Sequence, residues 1–471
     1  MIATRRRRLS AALYAYEFFT NAIPLYPLYV LLFTDAGLST AEVSSILATW
    51  VVASMLLEIP SGVWADQVSR RLLLCVAPLL AGAGFALWSL VPGYWSFALG
   101  AVLWGAQGAL KSGAQEALVY EELGALGAAD RYATVLGRAR TVEVFAVTGA
   151  LLAAGPVLAY GGYLAIGVTS VVACGLATVA AAAFPEHRRD HAAADHSAAD
   201  HPGTDHAAQE HPVAELPAAE RTAAERPAAR AGGYLATLRA GVTEVRTDRR
   251  VLLAVLAIPA VATIWGDLEE YVPLLATEVG VPATTVPLYV LAVWAGITAG
   301  GLLAGFGRTP GGNRLSIVVI AAAGLLAAGA LSGVRAGFVL IALAFCLFQL
   351  VTVAVEARLQ HLITGPSRAT VTSVASLGSG VASLASYGVY AAAAGYTRHG
   401  VIFAALMVPY LLAALGFRRS WAYTEGKGPE PGTREPATQT ATSTKEGRRG
   451  GLGGSSPRPY ERVDPTRALR G

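Results

Sequence analysis

The chain has 471 residues, of which 54% are hydrophobic and only 14% charged, with a mean hydropathy of +0.48. Soluble domains carry about 25% charged residues, so this composition excludes a soluble enzyme, a disordered protein and a disulfide scaffold. Twelve membrane spans of about 20 residues need about 240 residues, and the length holds them with room for loops and tails. Cys75, Cys174 and Cys346 lie inside apolar runs and read as small buried hydrophobes, which leaves the redox compartment open.

Apolar runs are predicted near 9–32, 41–63, 72–91, 94–118, 139–160, 162–184, 251–279, 285–306, 315–333, 336–359, 370–394 and 399–417. The fold class is therefore an all-α membrane protein with twelve transmembrane helices. The net charge of +4 is unevenly placed between the loops. On the N-terminal side the short loops hold Arg5, Arg6, Arg7, Arg8, Arg70, Arg71, Arg131, Arg138, Arg308, Arg314 and Arg368, against Arg335 and Arg398 on the other. Positively charged loops stay in the cytoplasm, so both termini are expected there, with the chain in the cell membrane. The opening arginines precede a long run that contains Glu17 and Asn21 and has no small-x-small cleavage site. They read as an anchor for span one rather than as a targeting signal or a nucleic-acid contact.

In span one, Tyr14, Glu17 and Asn21 are spaced to share a helical face. A carboxylate inside the bilayer is costly and is a functional candidate: Glu17 either takes up a proton or bonds a neighbouring helix. Between spans two and three the chain reads Glu58-Ile59-Pro60-Ser61-Gly62-Val63-Trp64-Ala65-Asp66-Gln67-Val68-Ser69-Arg70-Arg71. A small residue such as Gly62 lets two helices approach closely. An acid at a helix end, such as Asp66, can pair with an arginine or with a helix N-terminus.

This segment resembles the signature loop of the major facilitator superfamily at Gly62, Asp66, Arg70 and Arg71. It departs at Gln67, where that family usually has a base, and at Ser69, where it usually has glycine. The Glu-Ile-Pro-Ser-Gly stretch, following the turn Asp35-Ala36-Gly37-Leu38-Ser39, is similar to one bacterial branch of the superfamily. The resemblance implies two pseudo-symmetric six-helix bundles rocking about a central cavity, with Asp66 latching the cytoplasmic side and Arg70 and Arg71 tuning it. Glu58 is expected as a gate partner.

Further along, Lys111 in span four is expected to pair with Glu116 or to contact an anionic substrate. Arg138 and Arg140 enter span five as possible partners for Glu116 and for Glu356 of span ten, while Arg368 follows span ten. Glu58, Gly62, Asp66, Arg70, Arg71, Glu116, Arg138, Glu356 and Arg368 form the expected cytoplasmic gate. Residues 185–248 join spans six and seven through a five-residue repeat, HAAAD-HSAAD-HPGTD-HAAQE onward. Histidine at every fifth position winds around a helix and makes no face, so this segment reads as an Ala-rich linker and no metal site is expected. In span seven, fifteen apolar residues precede Gly266-Asp267-Leu268-Glu269-Glu270-Tyr271-Val272-Pro273. Fifteen residues rise only about 23 Å, so the helix either continues with acids in its outer third or breaks near Gly266 and Pro273. Asp267 and Glu270 are spaced to share a face, with Glu269 pointing elsewhere.

The predicted organisation is a bundle over 1–184, the linker over 185–248, a second bundle over 249–418 and a disordered cytoplasmic tail over 419–471. Ala-Gln-Glu-Ala at 114–117 and Ala-Val-Glu-Ala at 354–357, each followed by an arginine and an Ala-Thr-Val triplet, trace an internal duplication, as transporters often carry. No GxxxxGK[ST] phosphate loop occurs, and no cofactor or enzymatic activity is expected. The expectation is a monomeric secondary transporter, proton-coupled and exporting a hydrophobic or cationic small molecule. Glu17, Asn21, Lys111, Asp267, Glu269 and Glu270 are the candidates for substrate or proton contact. Trp50, Trp265, Trp294, Tyr26 and Phe348 are candidates to line a cavity or to pack. The alternatives are proton-symport uptake of a small metabolite, or a membrane enzyme or sensor that does not transport.

Overall fold

The computed structural model describes residues 2–185, 259–306, 311–362 and 368–415, all within one compact unit, Met1–Gly426. The repeat-bearing linker, the tail and the start of span seven at 251–258 lie outside the described residues. Those described form helices and connecting turns, with no strand among them.

Span one is two helices rather than one continuous run. α1 (Ile2–Asn21) stops ahead of Pro24 and Pro27, and the chain resumes as α2 (Tyr29–Asp35). Proline lacks an amide donor and collides with the preceding turn, which accounts for the interruption. The Asp35–Ser39 turn then ends one helix and starts the next. Leu38 N bonds Phe33 O at 3.1 Å and Gly37 N bonds Thr34 O at 2.9 Å, with Gly37 at φ 95°, a Schellman arrangement that favours glycine. Ser39 opens α3 (Thr40–Gln67) with a capping box: Glu42 N bonds Ser39 Oγ at 3.3 Å, and Ser39 N bonds Glu42 Oε2 at 2.8 Å. α4 (Arg70–Leu90) begins at Ser69, whose hydroxyl accepts from Leu72 N at 3.2 Å, and α5 (Tyr94–Ala125) follows.

α6 (Tyr132–Ala182) holds 51 residues, about 77 Å if straight, far more than one crossing needs. It is broken at Gly162, with φ 61° and ψ −164°, a conformation almost confined to glycine. Val135 and Ala139 from its start share an apolar cluster with Ala177, Ala181 and Phe184 from its far end, so the two arms return to the same level. They supply spans five and six.

The second half opens on a π-helical turn, Pro259–Thr263, then α7 (Ile264–Glu269) and α8 (Val272–Glu278). Span seven therefore breaks at Glu270–Tyr271, the second of the two alternatives left open by the sequence. α8 ends as α2 does: Val281 N bonds Ala276 O and Gly280 N bonds Thr277 O, both at 3.0 Å, with Gly280 at φ 76°. Spans one and seven are thus interrupted and capped alike, a structural trace of duplication independent of the alanine-rich motifs. α9 (Val286–Phe306), α10 (Gly312–Leu331), α11 (Gly337–Leu362), α12 (Arg368–Ala394) and α13 (His399–Ala405) complete the chain, the last reaching Leu415 beyond a turn. Among the described residues six helical segments are long and apolar enough to cross a membrane, and the segment Ala129–Ala182 is one of them. The interrupted spans one and seven, α5 and α12 are not among them, and His399–Leu415 is a shorter apolar helix.

At the arginine-rich end, Arg5 Nη2 lies 3.6 Å from Glu122 Oε2 and Arg70 Nη1 lies 2.5 Å from Glu121 Oε2. The halves pack together at the opposite end, the end at which Tyr163 OH donates to Asp35 Oδ2 at 2.6 Å within the first half. There α2 rests on α8, and α3 lies along α12. Tyr271 OH donates to Ser44 Oγ at 2.7 Å, and Gly155 of α6 sits so close to the Thr284 carbonyl that a side chain would collide with it. One apolar cluster joins Phe33, Trp88 and Phe97 of the first half to Leu275, Phe345 and Phe403 of the second.

Candidate substrate and coupling sites

Both helix breaks open onto one cavity of about 260 Å³. The first half supplies Asn21, Ile23, Tyr26, Pro27, Tyr29, Trp104, Val147, Ala150 and Leu151, and the second supplies Glu269, Glu270, Pro273, Val290 and Trp294. Among the described residues no basic side chain is in this lining. Trp294 Nε1 donates to Glu269 Oε1 at 2.5 Å, and Tyr29 OH donates to Glu270 Oε2. Trp104 stacks on Tyr26 with centroids 5.5 Å apart and planes at 21°, and on Trp50 behind it at 5.2 Å and 23°. Two acids framed by aromatic faces form a concave, mostly apolar site of the kind that holds small ligands and attracts cations.

The acids of span seven do not divide as the helical spacing implied. Glu269 and Glu270 both face the cavity, whereas Asp267 points to α12, where Ser383 Oγ donates to its Oδ1 at 2.8 Å. Successive helical residues point about 100° apart, so Glu269 and Glu270 can both border a wide cavity while Asp267 turns to the neighbouring helix.

Glu17, 4% exposed, is held between α1 and α5. Lys111 Nζ lies 2.8 Å from its Oε2, Gln115 Nε2 lies 2.5 Å from Oε1, and Asn21 Nδ2 lies 3.2 Å from Oε2. The ammonium of Lys111 also sits 5.7 Å from the centre of the Tyr16 ring. Lys111 thus pairs with Glu17 and not with Glu116, which is exposed. Five residues turn a helix by about 500°, which sends Lys111 and Glu116 to different sides of α5.

The expected gate residues lie toward the arginine-rich end. Glu58, Arg71, Glu116, Arg138 and Glu356 are exposed, and Arg70 pairs with Glu121. Arg140 Nη1 takes Glu143 at 2.9 Å as its partner. The side chains of Gly62, Asp66 and Arg368 lie outside the described residues. Of the flagged aromatics, Tyr26 and Trp294 line the cavity, Trp50 backs it, and Trp265 and Phe348 stack on each other at 6.3 Å and 4° inside the second half. Sequence reasoning missed Tyr29 and Trp104, and the Ser44–Tyr271 and Asp267–Ser383 pairs. Tyr26 and Tyr29 beside Pro24 and Pro27 were the available signal, an aromatic pair at an interrupted helix. Among the described residues no group of His, Cys, Asp and Glu could hold a metal ion.

The sequence matches the Major Facilitator Superfamily over residues 9–387. The chain belongs to that superfamily. Its fold is accordingly that of two pseudo-symmetric six-helix bundles with twelve spans, and it is a multi-pass membrane secondary transporter of small molecules rather than an enzyme. Solved superfamily structures share the fold at low identity. A bacterial homologue of the human lysosomal transporter Spinster, inward-facing and unoccupied, aligns at TM-score 0.61 and 14% identity over 89% of this chain and 98% of its own. The nucleoside transporter NupG, as its D323A mutant, aligns at 0.61 and 12% over 88% and 100%. A D-xylose–proton symporter aligns at 0.57 and 15% over 89% and 98%. No curated protein matches the sequence.

Proposed function

We propose that this chain exports a small hydrophobic organic cation by alternating access, driven by proton counterflow. The observation that carries the reading is the cavity between the halves, in which Glu269 and Glu270 are the charged groups and Tyr26, Tyr29, Trp104 and Trp294 supply ring faces. A cation exchanges its hydration there for carboxylates and aromatic rings. Proton coupling is favoured by the intramembrane carboxylates and by the existence of a proton symporter with this fold. Glu17 is already balanced by Lys111, so we assign coupling to the span-seven acids, and Asn21 to the cavity wall.

On this reading the arginine-rich end is cytoplasmic, the protein sits as a monomer in the cell membrane with both termini inside, and the contacts at the opposite end close the outward path. Glu58, Gly62, Asp66, Arg70, Arg71, Glu116, Arg138, Glu356 and Arg368 then form the inner gate, and the Glu-Ile-Pro-Ser-Gly stretch is read as the mark of one bacterial branch of the superfamily. The bundles at 1–184 and 249–418 rock about the cavity, with the linker at 185–248 and the tail at 419–471 on the cytoplasmic side. Binding of tetraphenylphosphonium to the purified protein tests the substrate class. Saturable binding that weakens in Glu270→Gln supports it, and equal binding of an uncharged tetraphenyl analogue contradicts it.

A further inference from the structure

Asp267 is set apart from the cavity and from every base that the structure describes. Its residue is 7% exposed, Oδ1 accepts from Ser383 Oγ, and Oδ2 is buried without a hydrogen-bond partner. Thr263, one helical turn earlier and also 7% exposed, has a second buried oxygen without a partner, Oγ1. Residues four apart face the same way, so both unsatisfied oxygens lie on the side of span seven that meets α12. Ser386, Tyr387, Tyr271 and Tyr410 also border Asp267, and Glu270 is the acid that interacts with it. Among the described residues no Lys, Arg or His forms an ion pair with Asp267. Glu17, by contrast, has Lys111.

A buried carboxylate without a counter-charge is too costly to persist. It must take a proton or a small cation. The π-turn at Pro259–Thr263 is the kind of helix irregularity that accompanies functional sites. We propose that Asp267, Thr263 and Ser383 form a site for one small monovalent cation, separate from the substrate cavity. A proton on Oδ2 turns that oxygen into a donor, whereas Na⁺ takes the carboxylate and hydroxyl oxygens as hard ligands. This rests on the transport reading only for its coupling role; the binding itself does not. Coupling ion and substrate then occupy different carboxylates, three residues apart on a broken helix, and need not compete.

The test uses purified full-length protein in detergent without substrate, followed by thermal unfolding. One arm lowers the pH in choline chloride, and the other replaces choline with sodium at alkaline pH. One of the two raises the Tm by a few degrees, and the active arm identifies the ion. Asp267→Asn abolishes that rise, Ser383→Ala reduces it while keeping the carboxylate, and tetraphenylphosphonium affinity in Asp267→Asn stays within about threefold of wild type. No rise in either arm, or a full rise in Asp267→Asn, overturns the proposal. Loss of tetraphenylphosphonium binding in Asp267→Asn, with binding kept in Glu270→Gln, overturns it too, because Asp267 then holds the substrate. If no variant, nor wild type, binds tetraphenylphosphonium but the Asp267-dependent rise remains, the substrate reading fails and the cation site stands.

Discussion

Glu17→Gln offers a quantitative check on the α1–α5 network. The substitution keeps the shape but removes the charge that balances Lys111, 2.8 Å away, whose side chain is 21% exposed against 5% for Glu17. Removing one partner of a fully buried pair costs about 3–5 kcal/mol. The partial exposure of Lys111 lets water recover some of this, leaving about 2–3 kcal/mol. Lys111→Met costs less, about 1–2 kcal/mol, because Gln115 and Asn21 still donate to the carboxylate and a bond to a charged group is worth about 1.5–3 kcal/mol. The double variant Glu17→Gln/Lys111→Met leaves no orphaned charge and is expected near wild type, a coupling of about 3–5 kcal/mol, the sum of the two single losses. Thermal unfolding of the four proteins in one detergent measures the cycle. Additive losses would refute the pairing, as would a double variant less stable than either single one. Because the account assigns coupling to span seven, flux through the double variant should keep its pH dependence.

The other predictions address the cavity, the contact between halves and the α6 break. Glu269→Gln and Glu270→Gln should each weaken tetraphenylphosphonium binding by about tenfold, near 1.4 kcal/mol, measured by equilibrium dialysis; unchanged affinity removes that acid from the site. Tyr271→Phe deletes the hydrogen bond to Ser44 across the halves, worth about 1 kcal/mol. Spin labels at that end should show the closed population falling about fivefold relative to the open one, and an unchanged distance distribution contradicts this role. Gly162→Ala forces a side chain into φ 61° and should cost about 1–3 kcal/mol, seen as a lower Tm and lower yield; a neutral result means α6 bends elsewhere.

The span layout was legible because lipid demands long apolar runs, and the arginine asymmetry ordered the loops. The breaks were partly legible. Gly266 and Pro273 flagged span seven, yet Pro24 and Pro27 carried the same signal and span one was read as a single run. The failures share a cause. Lys111 pairs with Glu17 on another helix, and helical spacing within α5 says nothing about how α1 is rotated against it. Glu269 and Glu270 face the cavity together because neighbouring helical positions lie only about 100° apart, and which of them border a wide cavity is set by the other helices around it. Trp104 and Ser383 carry no local mark at all; they matter through partners on distant segments, Tyr26 and Asp267.

The central claim is proton-driven movement of an organic cation through this cavity. Ethidium accumulation in everted membrane vesicles energised to an acidic interior measures it most directly. The account predicts uptake above that of vesicles lacking the protein, abolished when the pH gradient is collapsed and strongly reduced in Glu270→Gln. Uptake equal to that of empty vesicles, or uptake indifferent to the gradient, would contradict it.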